Sequence, residues 1–257
     1  MEDVRIIDMT PDTMAVYGAC GYRDVKKHVE LRRKIEWFAE YHPKGLRIKG
    51  LISGTGECQG LLEYMPGIHA FRPVDAEGWM FIQCVFVGFR KEFKGKGYAS
   101  AMIDECVREA RAAGMRGVSV VTRKGSFMAS GDLFARNGFH VADAAKPDFE
   151  LLALNFSEKG PEPRFKAVVN GGLEKYGRGL TVMRSPQCPY TEKNVKAIAA
   201  SAEKLKLETR LVDLTDAAAV QSCPNPFGTF CIIYNGRIVS HHPISNARFE
   251  NIMRKYL

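Results

Sequence analysis

Residues 81–114, FIQCVFVGFRKEFKGKGYASAMIDECVREARAAG, decide how the first part of this chain folds. Phe81–Val87 is an apolar run that reads as the buried end of a strand beginning at Trp79. Tyr98–Ala113 reads as an amphipathic helix, with Ala99, Met102, Ile103, Cys106, Val107 and Ala110 on one face and Gly114 as its stop. Between them Lys91, Lys94 and Lys96 are interleaved with Gly95 and Gly97. Glycine permits positive φ and close approach of a ligand to the backbone. The unpaired N–H groups of a helix's first turn, at its positive dipole end, suit phosphate oxygens. The plain alternative is a strand–turn–helix connection that needed glycine only for its turn. Lysines, glycines and a long amphipathic helix coincide here, which favours an anion site.

Working outward, Val4–Asp8, Leu46–Ser53 and Cys58–Tyr64 read as strands, Gly117–Thr122 and Phe149–Phe156 likewise. Asp24–Tyr41 reads as a helix carrying Val25, Leu31, Ile35, Trp37 and Phe38, closed by Pro43 and Gly45. Phe127–Arg136 reads as a short helix ended by Asn137-Gly138. The composition then changes. Ser157–Gly179 is rich in Gly, Pro and charge, and beyond it Leu180–Arg184, Thr191–Leu205, Glu208–Asp213, Thr229–Asn235 and Ala247–Tyr256 read as strand, helix, strand, strand, helix. The expected organisation is a domain over 1–157, a linker over 158–178 and a smaller domain over 179–257.

The chain has 257 residues, 46% hydrophobic and 26% charged, ordinary values for a globular protein. No apolar run approaches the roughly 20 residues that span a bilayer, and MEDVRIIDMTPD is too acidic for a signal peptide. Seven cysteines in no short framework argue against a disulfide scaffold, so a reducing cytoplasm is the expected location. The net charge of +8 suits an anionic cofactor as well as a nucleic acid, and zinc-finger spacing, aromatic-basic strips and basic tails are missing. Nucleic-acid and membrane partners are therefore not expected. Oligomeric state stays open between monomer and homodimer.

Lys94-Gly95-Lys96-Gly97-Tyr98-Ala99 resembles the pyrophosphate loop of GNAT acyltransferases, Q/R-x-x-G-x-G/A, with Lys94 where Gln or Arg is usual. Leu133-Phe134-Ala135-Arg136-Asn137-Gly138-Phe139 resembles that family's LYxKxGF segment. The resemblance spans about residues 1–157. It implies an α/β (α+β) fold, a mixed sheet in which two strands splay to admit the pantetheine arm of acetyl-CoA. Val85 and Val87 would offer backbone groups to that arm, and Lys94, Gly95, Lys96, Gly97, Tyr98, Ala99 and Ser100 would hold the pyrophosphate. The reaction implied is direct attack of a small acceptor's amine, or less often its thiol or hydroxyl, on the thioester. Many relatives carry Tyr where this chain has Phe134, and a phenyl ring cannot protonate the leaving thiolate.

Glu63, in LLEYMPG, is the first candidate for general base, against the reading of a solvent-facing strand carboxylate. His69 in the next turn is a second candidate, against a surface histidine. Cys84 either carries an acyl group or simply packs in the core.

SPQCPYT resembles the active-site turn of glutaredoxins and other thioredoxin-like proteins, with Cys188 at a helix start, where dipole and free N–H groups favour thiolate. Thr191 replaces a second cysteine, and Gly228 falls where such folds place a cis-proline. Cys188 is open to three readings: it binds a thiol, pairs with Cys223 or Cys231, or is inert. The pairing of domains resembles acetyltransferases with a YoaP-like C-terminal domain. Two functions follow as expectations. One is an acetyltransferase acting on a small acceptor, the second domain aiding acceptor binding, and the other is a thiol-handling or sensor protein working through Cys188.

Overall fold

The computed structural model describes residues 4–88, 90–157 and 160–257. Positions 1–3 of the expected first domain and 158–159 of the expected linker lie outside the described residues. The chain divides into two units, one over Met1–Ala70 and Val74–Phe165, the other over Phe71–Pro73 and Lys166–Leu257.

The first unit is mixed α/β, as expected. Its strands are β1 (Val4–Asp8), β2 (Arg47–Ser53), β3 (Cys58–Pro66), β4 (Val74–Asp75), β5 (Met80–Val87), β6 (Gly117–Arg123), β7 (His140–Ala145), β8 (Phe149–Asn155) and β9 (Arg164–Phe165). Seven of them form one sheet in the order β1-β2-β3-β5-β6-β8-β7, and β4 pairs with β9. Every neighbour in the large sheet is antiparallel except β5 and β6. That pair is parallel and short: Met80, Phe81 and Ile82 match Val118, Ser119 and Val120, and the register goes no further. From Cys84 to Val87 strand β5 continues against β3 alone, so the sheet opens into a wedge toward the C-terminal ends of β5 and β6.

Among the described residues this unit has four α-helices: α1 (Pro11–Tyr17), α2 (Val29–Tyr41), α3 (Tyr98–Ala112) and α4 (Gly131–Ala135). The α3 stripe Met102, Ile103, Cys106 and Ala110 packs on Leu62, Tyr64, Ile82, Val118, Val120, Phe134 and Phe139 in one core. Strand alternation turns Glu63 away from that core. The reading of a helix from Asp24 is corrected: α2 starts at Val29, and Asp24 instead accepts from the N–H groups of Lys26 (2.9 Å) and Lys27 (3.2 Å) in a turn. The expected helix over Phe127–Arg136 shrinks to Gly131–Ala135, because Phe127 has φ +69° and Ser130 caps the helix only later. Helix α1 was not foreseen, although Thr10 caps it and Pro11 opens it. Strand β7 (HVADAA) was also missed, since alanine-rich stretches carry little β signal.

The second unit holds β10 (Leu180–Arg184), α5 (Pro189–Lys204), β11 (Thr209–Asp213), α6 (Ala217–Gln221), β12 (Phe230–Tyr234), β13 (Arg237–Ser240) and α7 (Asn246–Met253). Its sheet runs β11-β10-β12-β13, with β10 parallel to β11 and the other pairs antiparallel. Val195, Ile198 and Ala202 of α5, Phe249 and Met253 of α7, and Val182 and Ile232 of the sheet are all buried. Ser201 of α5 donates to Glu250 of α7 at 2.7 Å. Gly228 has φ +74°, and a Cβ there would lie 2.8 Å from the carbonyl oxygen of Phe71, so only glycine admits the Phe71–Arg72 backbone. The stretch expected as a linker carries structure: Arg164–Phe165 pair with β4, and Tyr176 is buried under Arg210. Its Gly and Pro content suggested freedom, but the two aromatics anchor it.

Candidate functional site

The loop between β5 and α3 closes on itself at its start, where Phe93 and Lys94 N–H donate to the Arg90 and Lys91 carbonyls at 3.3 and 3.0 Å, and opens toward the helix. Phe93 is buried and pins the loop from below, while Lys94 and Lys96 are exposed. Gly95 (φ +69°) and Gly97 (φ +81°) are left-handed, and a Cβ added at either would meet nothing within 4 Å. The open side is where a ligand would lie, and the positive φ is what glycine supplies. Gly97 is the N-cap of α3, and the first intrahelical bond is Ala101 N–H to Gly97 carbonyl, 2.9 Å. Among the described residues nothing accepts from the N–H groups of Tyr98, Ala99 or Ser100. A 15-residue helix thus points three free donors and its positive end at open space beside two lysines.

Val85 and Val87 lie on the open arm of the wedge, half-buried, with Leu62 and Gly60 of β3 as register partners. On their other side β6 supplies no partner. The sheet keeps an extended main-chain edge there, able to receive amide groups of a ligand. These residues, the free donors of α3 and the open glycine faces fit a ligand with an extended amide-bearing arm and a pyrophosphate. The second sequence motif supports the same turn: Asn137 Nδ2 donates to Ser100 Oγ (3.2 Å) and to the Leu133 carbonyl (2.7 Å).

Glu63 stands opposite Cys84 in the β3–β5 register, at the bulge that leaves Gln83 without an opposite residue. The solvent-facing reading of Glu63 is corrected. The carboxylate is 1% exposed and ion-paired with the Lys34 ammonium of α2, itself 0% exposed. Burial opposes the Lys34 charge, but Glu63 and the Cys20 and Cys84 sulfurs outweigh it, and the ammonium is held above the usual lysine range. Lys34 also lies 5.1 Å from the Trp37 ring centroid. Cys84 is half-buried and not in the closed core. Cys20 occupies φ +53° at the tip of a turn closed by mutual 2.9 Å bonds between Ala19 and Tyr22. Lys34 was missed by sequence reading, yet it falls on the stripe Leu31, Lys34, Phe38, Tyr41, whose spacing marks a buried face.

His69 is placed elsewhere. It follows Pro66, whose register partner is Met80 at the closed end of the wedge. Its ring packs on Tyr41 at 6.3 Å, and burial with nearby Lys44 holds its pKa below the ordinary histidine value. Phe134 is fully buried and meets Phe139 edge-on at 5.4 Å.

In the second unit, Cys188 is the N-cap residue of the 16-residue α5, with Pro189 in the first helical position. Thr191 donates its hydroxyl to the carbonyls of Cys188 (2.8 Å) and Ser185 (3.2 Å), so it shapes the turn. Ser185 N–H donates to the Thr229 carbonyl at 2.9 Å, and both side-chain hydroxyls are buried with no partner among the described residues. Among the described residues no disulfide joins Cys188 to Cys223 or Cys231. Cys223 and Cys231 are closed off, and burial pushes the Cys223 thiol up to about 12 and Cys231 well above its usual range.

Residues 12–139 match the sequence profile of the acetyltransferase (GNAT) family, and residues 209–251 match the YoaP-like profile. An uncharacterized N-acetyltransferase of Bacillus subtilis, YoaP, is 26% identical over 250 residues, which is 96% of this chain and 97% of that protein. Among solved structures, a GNAT acetyltransferase from Brucella melitensis with acetyl-CoA is 18% identical, covering 65% of this chain and 98% of that one, TM-score 0.39. The Escherichia coli GNAT protein YhbS with CoA is 14% identical over 66% of this chain and 92% of that one, TM-score 0.39. Among the described residues no helix is long and apolar enough to cross a membrane.

Proposed function

For a chain that carries an acetyl-CoA-dependent acyltransferase domain of the GNAT family and a YoaP-like domain, we propose that it transfers the acetyl group to the amine or thiol of a small acceptor. The observation that carries the reading is the conjunction of the β5–β6 wedge with three acceptor-less N–H groups at the start of α3. Acetyl-CoA, when bound, supplies an activated acyl thioester. In this reading Lys94 and Lys96 neutralise pyrophosphate charge while Tyr98, Ala99 and Ser100 donate main-chain bonds to it. Val85 and Val87 hold the arm by backbone groups and so fix the reacting carbon at the apex.

Glu63 is the carboxylate opposite Cys84, and we assign it the base role. It takes the acceptor's proton through a relay, since its own oxygens are closed to solvent and paired with Lys34. Phe134 offers no proton, so the CoA sulfur leaves as thiolate, a tolerable leaving group for a thiol of pKa near ~8.5.

The second unit is read as thioredoxin-like, on the support of its strand order and of Cys188 at the start of the helix that follows β10. Its part is to bind the acceptor, and the buried hydroxyls of Ser185 and Thr229 beside this turn favour a polar one. The chain's cysteine usage alone favours a reducing cytoplasm as its location.

Calorimetric titration with acetyl-CoA tests the first unit: wild type binds and Gly97→Trp, which fills the open face of the loop, does not. Equal binding by both proteins places the cofactor elsewhere, and no binding by either removes the acyltransferase reading. A second reading, a thiol-handling protein working through Cys188, is favoured by Phe134 and by the position of Cys188. It requires a Cys188 thiol more acidic than an ordinary free one.

A further inference from the structure

Asn137 sits in the segment after α4, far in sequence from the glycine loop, yet its side chain reaches the first turn of α3. The Leu133 carbonyl only accepts hydrogen bonds, so the group that Asn137 turns toward it, at 2.7 Å, is the amide NH2. The same nitrogen lies 3.2 Å from Ser100 Oγ. Ser100 therefore accepts in that contact, and its own hydroxyl proton must point elsewhere. Among the described residues no acceptor takes it. A first-turn hydroxyl can turn back to the N-cap carbonyl three residues earlier, as Thr191 does to Cys188, but Ser100 makes no such bond to Gly97 among the described residues. A ligand oxygen at the start of α3 would find this hydroxyl together with the N–H groups of Tyr98, Ala99 and Ser100, which are also unaccepted among the described residues.

We infer that Asn137 is a positioning residue that makes Ser100 a one-way donor to a phosphate oxygen of the cofactor. This rests on the reading of the α3 start as the pyrophosphate site. Without Asn137 the serine hydroxyl is free to spend its proton on solvent, and the bound anion loses a pre-set charge-assisted hydrogen bond. Sequence alone does not reveal the link, because the position just before the glycine in LFARNGF has no evident chemical demand.

The test is a double-mutant cycle read by calorimetric CoA affinity, with no turnover needed. Ser100→Ala should weaken CoA about tenfold, the scale of one hydrogen bond to a charged group, and Ser100→Thr, which keeps the hydroxyl, should recover most of it. Asn137→Ala should weaken CoA by a similar factor in the wild-type background and by almost nothing in the Ser100→Ala background. A loss that is the same in both backgrounds means Asn137 acts only through Leu133 and the fold, and overturns the inference. If Asn137→Ala does not fold, unchanged affinity of Ser100→Ala alone overturns it. Wild-type protein that binds no CoA removes the pyrophosphate reading and this inference with it, an outcome distinct from wild-type binding with no coupling.

Discussion

Lys34 of α2 and Glu63 of β3 neutralise one another with both side chains closed to water. Taking one partner away leaves a charge in a low-dielectric interior, whereas replacing both with apolar residues removes the desolvation penalty along with the attraction. Glu63→Gln should therefore cost about 3–5 kcal/mol in urea unfolding, and Lys34→Met with Glu63→Leu should lie near wild type or above it. The stable double variant also decides the base. If its acetyl transfer is undiminished, Glu63 takes no proton in the reaction.

The same pair sets an alkaline limit. The folded pKa of Lys34 is raised by Glu63 against the opposing effect of burial. Its linkage stabilisation is thus fully present below the unfolded lysine pKa, and it is lost as pH rises through the higher folded value. Stability measured between pH 9 and about 12 should fall for wild type in that upper range. The Lys34→Met, Glu63→Leu protein should show a smaller decline, and equal declines would mean another group carries the effect.

Lys94 and Lys96 are exposed and touch no acidic partner among the described residues. Their worth to a polyanion should appear as salt-sensitive affinity. Replacing both by Gln should weaken acetyl-CoA severalfold at low salt and flatten the dependence of affinity on ionic strength. An unchanged salt slope would take the lysines out of the site.

Thiol chemistry should separate by burial. Cys188 is half-buried at a helix start, while Cys223 and Cys231 are closed and disfavoured as thiolates. Iodoacetamide at neutral pH, followed by peptide mass mapping, should label Cys188 and leave Cys223 and Cys231 unlabelled until denaturant is added. Early labelling of Cys231 would show that the second unit opens in the native state.

The glycine loop was readable because its demand is local. Lysine, glycine and an amphipathic helix must follow one another in sequence for the loop to exist, and Gly95 and Gly97 stand as expected with positive φ. The strands β2, β3 and β6 were readable from apolar runs for the same reason. Lys34 was not, because a lysine in a charged helix reads as solvated, and its burial depends on a carboxylate 29 positions away. The Asn137–Ser100 contact joins residues 37 positions apart and leaves no periodic mark. The placement of His69 at the closed end likewise follows from strand register, which single residues do not announce.

Among the described residues three pairs stitch β5 to β6, and they form the ladder between the four-strand and three-strand halves of the large sheet. Beyond Ile82 the register between the two halves stops. On the proposed reading, a guest whose amides bridge the halves acts as a temporary strand that lengthens this seam. Mechanical stiffness of the first unit then becomes a property of its cargo: the empty protein should flex about the seam, and each delivery of the acyl group should end with that flexibility restored.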